Sequence, residues 1–223
     1  MLIKLLQEDP LAFVILASVL VASLVLHELG HGLAAYLFGD DTARRMGRLT
    51  LNPLAHLDPL GTLLLLVAGF GWAKPVPVNT SRLRPYRLGL FAVSVAGILI
   101  NLALAFLFGL VLSMLGRYQT QAVAMALLEG SPAGWAGILS MVAYYAGLIN
   151  LMLALFNLIP VPPLDGSRLL LVLVPERYHP YVWRLDRYAP YIFVLVIADI
   201  RLHGPISHML DWAQVFYLRV IFG

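Results

Sequence analysis

The chain has 223 residues, 61% of them hydrophobic and only 12% charged, with a formal net charge of +3 and a mean hydropathy of +0.85. A soluble domain carries about 25% charged residues, so the composition excludes a soluble globular protein and points to a polytopic membrane protein in contact with the lipid bilayer. The excess positive charge falls in loops, where it reports membrane orientation rather than a nucleic-acid partner, and the lack of cysteine excludes disulfides and thiolate metal ligands.

In chain order, residues 11–38 are apolar at nearly every position up to His27 and are expected to span the bilayer. No small-residue cleavage site follows this run, so it is expected to stay in the mature protein. A turn at "FGDD" leads into a basic stretch with Arg44, Arg45 and Arg48. Residues 60–73 are apolar but shorter than the roughly 20 residues a crossing needs. Lys74, Arg82, Arg84 and Arg87 follow, so both flanks are positive and both are expected in the cytoplasm. Residues 49–78 therefore read as a re-entrant or interfacial hairpin, and its Pro and Gly content suits irregular backbone buried in protein or near water.

Residues 88–115 and 136–159 read as two further spans, joined by a weakly charged loop containing Arg117 and Glu129. Prolines 160, 162 and 163 then break the helix, since each removes a backbone donor and clashes with the preceding turn. "SRLLLVLVP" and a basic segment with Arg177, Arg184 and Arg187 come next. Residues 189–200 and 205–222 are apolar but divided by Asp199, Arg201 and Pro205; they form one broken span, or a short span plus an interfacial helix. The expected fold is an all-α polytopic bundle of about 4–6 membrane segments. It is read as a single integral-membrane domain over residues 1–223, with a core at about 11–175 and C-terminal membrane segments at 189–222.

"LVLHELGHGLAAYLFGD" places His27, Glu28 and His31 inside this apolar sequence. A charged side chain costs about 2.5–3.5 kcal/mol to bring into a bilayer on insertion scales, and intramembrane ionisable groups are functional by default. His27 and His31 are spaced i, i+4, so both imidazoles leave one helical face and can share a metal ion. Glu28 lies about a hundred degrees round the helix, where it can reach a metal-bound water without being a ligand. Catalytic zinc needs three protein ligands and an open position. It lowers the pKa of its bound water to about 7, and a carboxylate takes the proton as the hydroxide attacks a carbonyl.

Asp165, in "PVPPLDGSR", is the leading candidate for the third ligand; its bland alternative is a helix N-cap before "GSRLL". Topology agrees, because two crossings after the basic loop at 40–48 return the chain to the cytoplasmic side at Asp165. His27 lies 12 residues before Gly39, about 18 Å deep at 1.5 Å per residue. Asp165 lies 10 residues before Pro175, about 15 Å deep if the intervening stretch is an embedded helix. A straight span over 136–159 would instead leave it near the surface; the embedded break is preferred. Asn101 and Asn157 are polar groups in apolar helices that could donate to a carbonyl or oxyanion, or act as interhelical glue. His56 and Asp58 resemble a second metal pair, but two neighbouring prolines favour a structural turn.

HExxH in a transmembrane helix with a downstream "NLIPVPPLDG" resembles the site-2 protease family of intramembrane zinc metalloproteases. "GDDTARRMGRLTLNPLAHLDPLGT" and "GWAKPVPVN" resemble its compact bacterial and archaeal branch, which lacks PDZ and CBS domains. The likeness covers roughly residues 20–170. It implies His27, His31 and Asp165 as zinc ligands, Glu28 as the catalytic glutamate, and Asn157 and Asn101 as matches to two family asparagines. It further implies an intramembrane zinc endopeptidase that cleaves in or near transmembrane helices of membrane-protein substrates, by Glu-assisted attack of a zinc-bound water. The implied setting is the prokaryotic cell membrane, with the active site nearer the cytoplasmic face. Ile98 stands in "AGILIN" where the family usually has proline, implying a straighter helix. Two alternatives are a membrane zincin of the prenyl-protein or C-terminal-processing type and a non-catalytic metal-binding scaffold. The zincin needs a glutamate as third ligand, for which only Glu129 and Glu176 are available downstream; a scaffold would commonly have lost Glu28.

Overall fold

A computed structural model describes residues 2–128, 132 and 134–222; Glu129 lies outside the described residues. Helix α1 (Leu2–Glu8) ends at Asp9, whose carboxylate caps the next helix by accepting from the Ala12 amide at 2.9 Å. Pro10 then opens α2 (Pro10–Leu37), where its missing N–H costs nothing. At 28 residues α2 is about 42 Å long, enough to cross a bilayer. It stops at Phe38, followed by Gly39 at φ +97°, in the left-handed region that favours glycine.

After the short helix α3 (Thr42–Arg45) the chain folds out and back as a hairpin. Asp58 caps α4 (Pro59–Ala68) by accepting from the Gly61 amide at 2.8 Å. Ten residues give about 15 Å, too short to span. The return limb pairs with the outgoing one through an antiparallel bridge between Leu57 and Ala73 and a 2.7 Å bond from the Lys74 amide to the His56 carbonyl. The hairpin ends beside its start: the Arg84 amide donates to the Phe38 carbonyl at 2.8 Å, and the Asn79 amide to buried Asp40 at 2.6 Å. Arg82 pairs with Asp41 at 2.7 Å. The expected hairpin is therefore present, and the chain leaves it where it entered.

Helix α5 (Tyr86–Tyr118) runs unbroken through Ile98, as the missing proline implied. It is followed by α6 (Thr120–Leu128) and α7 (Gly134–Leu158). The face of α7 that packs inside the bundle is mostly small, with Ala136, Gly137, Ser140, Ala143, Ala146, Gly147 and Ala154 buried. Such residues let helix backbones approach where lipid removes the usual hydrophobic drive. The proline break follows, then α8 (Gly166–Leu173) and α9 (His179–Asp186). Helices α10 (Ala189–Arg201) and α11 (Pro205–Phe222) are bent by 59° to one another. Tyr217 of α11 docks its hydroxyl on the Ala105 carbonyl of α5 at 2.7 Å. Phe193 of α10 sits edge-on to Phe70 and Trp72 at the hairpin tip, with ring centres 6.4 and 6.3 Å away.

Among the described residues, three helices (α2, α5 and α7) are long and apolar enough to cross a membrane, or four if the bent α10–α11 pair is one span. The protein is an all-α, multi-pass membrane bundle.

Candidate metal centre

The i, i+4 spacing on α2 brings both imidazoles to one face, and α5 presents a matching row. Val93, Gly97 and Asn101 recur every four residues along α5 and run antiparallel to the histidine pair. His31 Nδ1 donates to the Val93 carbonyl at 2.7 Å, and His27 Nδ1 to Asn101 Oδ1 at 2.5 Å. Gly97 lies between, where a Cβ would come within 2.5 Å of both rings. Only glycine lets α5 approach this closely.

Each Nδ1 faces an oxygen that can only accept, so each ring carries its hydrogen there and keeps a lone pair on Nε2. Both Nε2 atoms point at the same carboxylate oxygen: Asp165 Oδ2 is 3.1 Å from His27 Nε2 and 3.1 Å from His31 Nε2. The two Nε2 atoms are themselves 3.1 Å apart. Asp165 Oδ2 is buried without a hydrogen-bond partner. Three lone-pair donors thus converge with no hydrogen among them, an arrangement that a bound cation satisfies. Two imidazoles and one carboxylate match the donors of catalytic zinc sites. Among the described residues this is the one His/Asp/Glu cluster with metal-holding geometry.

Asp165 reaches the histidines because the proline break returns the chain toward them. α7 stops at Leu158, and Gly166 packs so closely that a Cβ there would lie 2.4 Å from the carbonyls of Leu158 and Ile159. Asp165 precedes α8 but its side chain makes no capping hydrogen bond, so capping is not its role. Its carboxylate meets His27 and His31 even though α7 runs unbroken over Gly134–Leu158, because the turn after that helix carries the chain back to them.

A cavity of about 840 Å³ opens beside the cluster, lined in part by His27, Glu28, His31, Asn157 and Asp165. Glu28 Oε2 accepts from the Val76 amide at 2.8 Å, which ties it to the return limb of the hairpin. Asn157 lines the cavity and spends one amide hydrogen on the Leu153 carbonyl at 3.0 Å. Asn101 lies behind His27 instead, with both ends of its amide engaged by protein. His56 and Asp58 form the structural turn expected of them: His56 Nε2 donates to the Thr50 carbonyl at 2.9 Å and Asp58 caps α4. Sequence reasoning did not single out Ser23, Val76, Gly97 or Asn150. Ser23 and Asn150 carried the same signal as Asn101, a polar side chain in an apolar helix.

A model of peptidase family M50 matches residues 15–197. The chain is 42% identical to YwhC of Bacillus subtilis over 181 residues, covering 81% of this chain and 78% of that relative. It is 34% identical to Rip2 of Mycobacterium tuberculosis over 160 residues, covering 69% of this chain and 55% of the relative. MJ0611 of Methanocaldococcus jannaschii is 29% identical over 177 residues, covering 78% and 75% respectively. All three relatives carry names as zinc metalloproteases. No solved structure matches the chain. The family match spans most of the sequence and includes all three members of the metal-holding cluster, so the chain belongs to peptidase family M50, the site-2 proteases, and is a zinc metalloprotease.

Proposed function

We propose that the protein is an intramembrane endopeptidase that hydrolyses peptide bonds in or near transmembrane helices of membrane-protein substrates. The observation that carries this reading is the convergence of His27 Nε2, His31 Nε2 and Asp165 Oδ2 at 3.1 Å inside an apolar bundle, beside a cavity that also holds Glu28. In this reading His27, His31 and Asp165 hold the zinc. When bound, zinc supplies a Lewis acid that polarises a carbonyl and acidifies a water.

Glu28 takes the proton of the attacking water and returns it to the leaving amine. The Val76 amide fixes one oxygen of its carboxylate and leaves the other for this transfer. Asn157 directs its second amide hydrogen at the substrate carbonyl, where negative charge develops. A substrate helix hides its peptide bonds in its own hydrogen bonds and must unwind before it is cut. The irregular limb at 73–78, on the cavity wall, offers backbone against which the unwound stretch pairs. Arg44, Arg45, Arg82, Arg84 and Arg87 flank the hairpin and support a cytoplasmic position for that end of the bundle, in a prokaryotic cell membrane.

The test is Glu28→Gln assayed on a panel of single-span substrates, with zinc measured in the same preparation. The expected outcome is near-stoichiometric zinc with almost all peptidase activity lost. Zinc lost together with activity would make Glu28 a ligand or a structural residue and overturn the assignment.

A further inference from the structure

Behind His27, on the side away from the cavity, polar side chains from α2, α5 and α7 form a continuous chain. Asn101 Oδ1 accepts from His27 Nδ1 at 2.5 Å, and Asn101 Nδ2 donates to Asn150 Oδ1 at 2.8 Å. Asn150 Nδ2 donates to the Ser23 hydroxyl at 2.8 Å and to the Ala146 carbonyl at 2.8 Å. Asn101 is 0% exposed, Asn150 1% and Ser23 3%, so neither water nor lipid headgroups can replace a missing partner.

The direction of the chain follows from its last link. The Ala146 carbonyl can only accept, so Asn150 must turn its NH2 toward it and its oxygen toward Asn101. That oxygen requires the NH2 of Asn101, whose own oxygen then faces His27. An oxygen there requires a hydrogen on Nδ1 of His27 and leaves the Nε2 lone pair toward Asp165. One backbone carbonyl on α7 thus sets which nitrogen of an imidazole on α2 is free.

We propose that Asn150, supported by Ser23, is a positioning residue of the metal centre, acting through Asn101 to fix the tautomer and ring angle of His27. The proposal rests on the reading of His27 as a zinc ligand. Groups that hold the remote nitrogen of a ligating histidine typically change metal affinity by about 10–100-fold when removed. A purely structural role, as glue between helices, would alter stability and leave the metal unaffected.

The experiment measures zinc affinity of the purified full chain by competition with a chromophoric chelator. The visible spectrum of the cobalt-substituted protein reports ligand geometry, and thermal unfolding reports the fold. Asn101→Leu and Asn150→Leu are each expected to weaken zinc binding by about ten-fold or more and to alter the cobalt spectrum. Because Asn150 acts only through Asn101, the double variant should bind zinc no more weakly than Asn101→Leu alone. Ser140→Ala removes another buried polar group of α7, one bonded only to its own helix at the Ala136 carbonyl, and should leave affinity unchanged. Should Asn150→Leu not fold, Asn150→Ser replaces it. Serine can bond back to its own helix, as Ser140 does, but cannot reach Asn101; the same loss of affinity is expected.

Unchanged affinity and cobalt spectrum in the Asn150 variants, with His27→Ala weakened, would overturn this proposal alone. Additive losses in the double variant would overturn it as well. Unchanged affinity in His27→Ala would overturn the ligand assignment and this proposal with it.

Discussion

Replacing Gly97 with Ala tests the packing of the two imidazoles against α5. The added Cβ would stand 2.5 Å from His27 Cε1, 2.5 Å from His31 Nε2 and 2.7 Å from His27 Nδ1. Non-bonded carbons rest at about 3.5–4.0 Å, so the rings or the helix must move by about 1 Å. Ligand positions at a metal tolerate about ±0.2 Å, several-fold less than that displacement. If the rings move, zinc affinity or turnover should fall by about 100-fold, the usual scale for a 1 Å misplacement at a reacting centre. If α5 moves instead, overpacking costs about 1–3 kcal/mol of stability. The assay is zinc content after dialysis against a chelator, with peptidase activity and thermal unfolding on the same sample. Gly116→Ala is the control on the same helix, because its Cβ would meet nothing nearer than Phe222 at 3.4 Å. A Gly97→Ala protein with stoichiometric zinc, full activity and unchanged stability would refute this packing.

Three further outcomes are expected. Asp165→Ala should lower zinc content, and Asp165→Asn less so, since a neutral amide is a poor ligand; normal zinc in Asp165→Ala would place the third ligand elsewhere. Val76→Pro deletes the amide that holds Glu28, in a stretch already kept extended by Pro75 and Pro77. A hydrogen bond to a charged group is worth about 1.5–3 kcal/mol, so turnover should fall by roughly ten-fold or more with zinc content intact; unchanged turnover would remove Val76 from the catalytic arrangement. Cysteines placed singly at Arg45 and Arg82, in a chain with none of its own, should both label from the cytoplasmic side. Asp41 pairs with both arginines, at 2.6 and 2.7 Å, and opposite-side labelling would separate ends of the hairpin that this arrangement holds together.

The parts of the site that the sequence made legible are those carried by local spacing. The i, i+4 histidines declare one face of one helix, whatever surrounds it. Positive charge on both flanks of a segment too short to span declares the hairpin, because the rule depends on loop composition and length. Asp165 stands out as a carboxylate beside three prolines in apolar sequence, although sequence alone also allowed it a helix N-cap. The contacts of Asn101 were not legible, because α5 is apolar on every side and its pattern does not fix which face turns toward α2. In a soluble protein an amphipathic stripe would have set that rotation. Here the markers are sparse: Gly97 and Asn101 share a face of α5 one turn apart, and Asn150 and Ser23 are the polar positions of α7 and α2 that meet it. The bond from Val76 to Glu28 was beyond sequence reasoning altogether, since a backbone amide carries no signature.

The proline break is what brings a carboxylate of the chain after α7 to the two histidines of α2. α7 ends at Leu158, and the chain turns through Pro160, Pro162 and Pro163 before α8 begins at Gly166. Pro160, Pro162 and Pro163 forgo three backbone donors, which is tolerable at membrane depth only where the chain is buried in protein or lines a cavity. Two of the three meet these conditions, since Pro162 is fully buried and Pro163 lines the cavity, while Pro160 is exposed. Gly166 then lets the turn close against the carbonyls of Leu158 and Ile159 before α8 begins. An aspartate at the start of such a helix would ordinarily cap it. Asp165 adopts helical backbone angles instead and leaves the first amides to backbone carbonyls: Ser167 donates to Leu164 at 3.0 Å and Arg168 to Asp165 at 2.8 Å. With the helix start satisfied by backbone, the carboxylate is free to face two imidazoles on another helix, and the break that costs the chain its hydrogen bonds is what delivers the third donor.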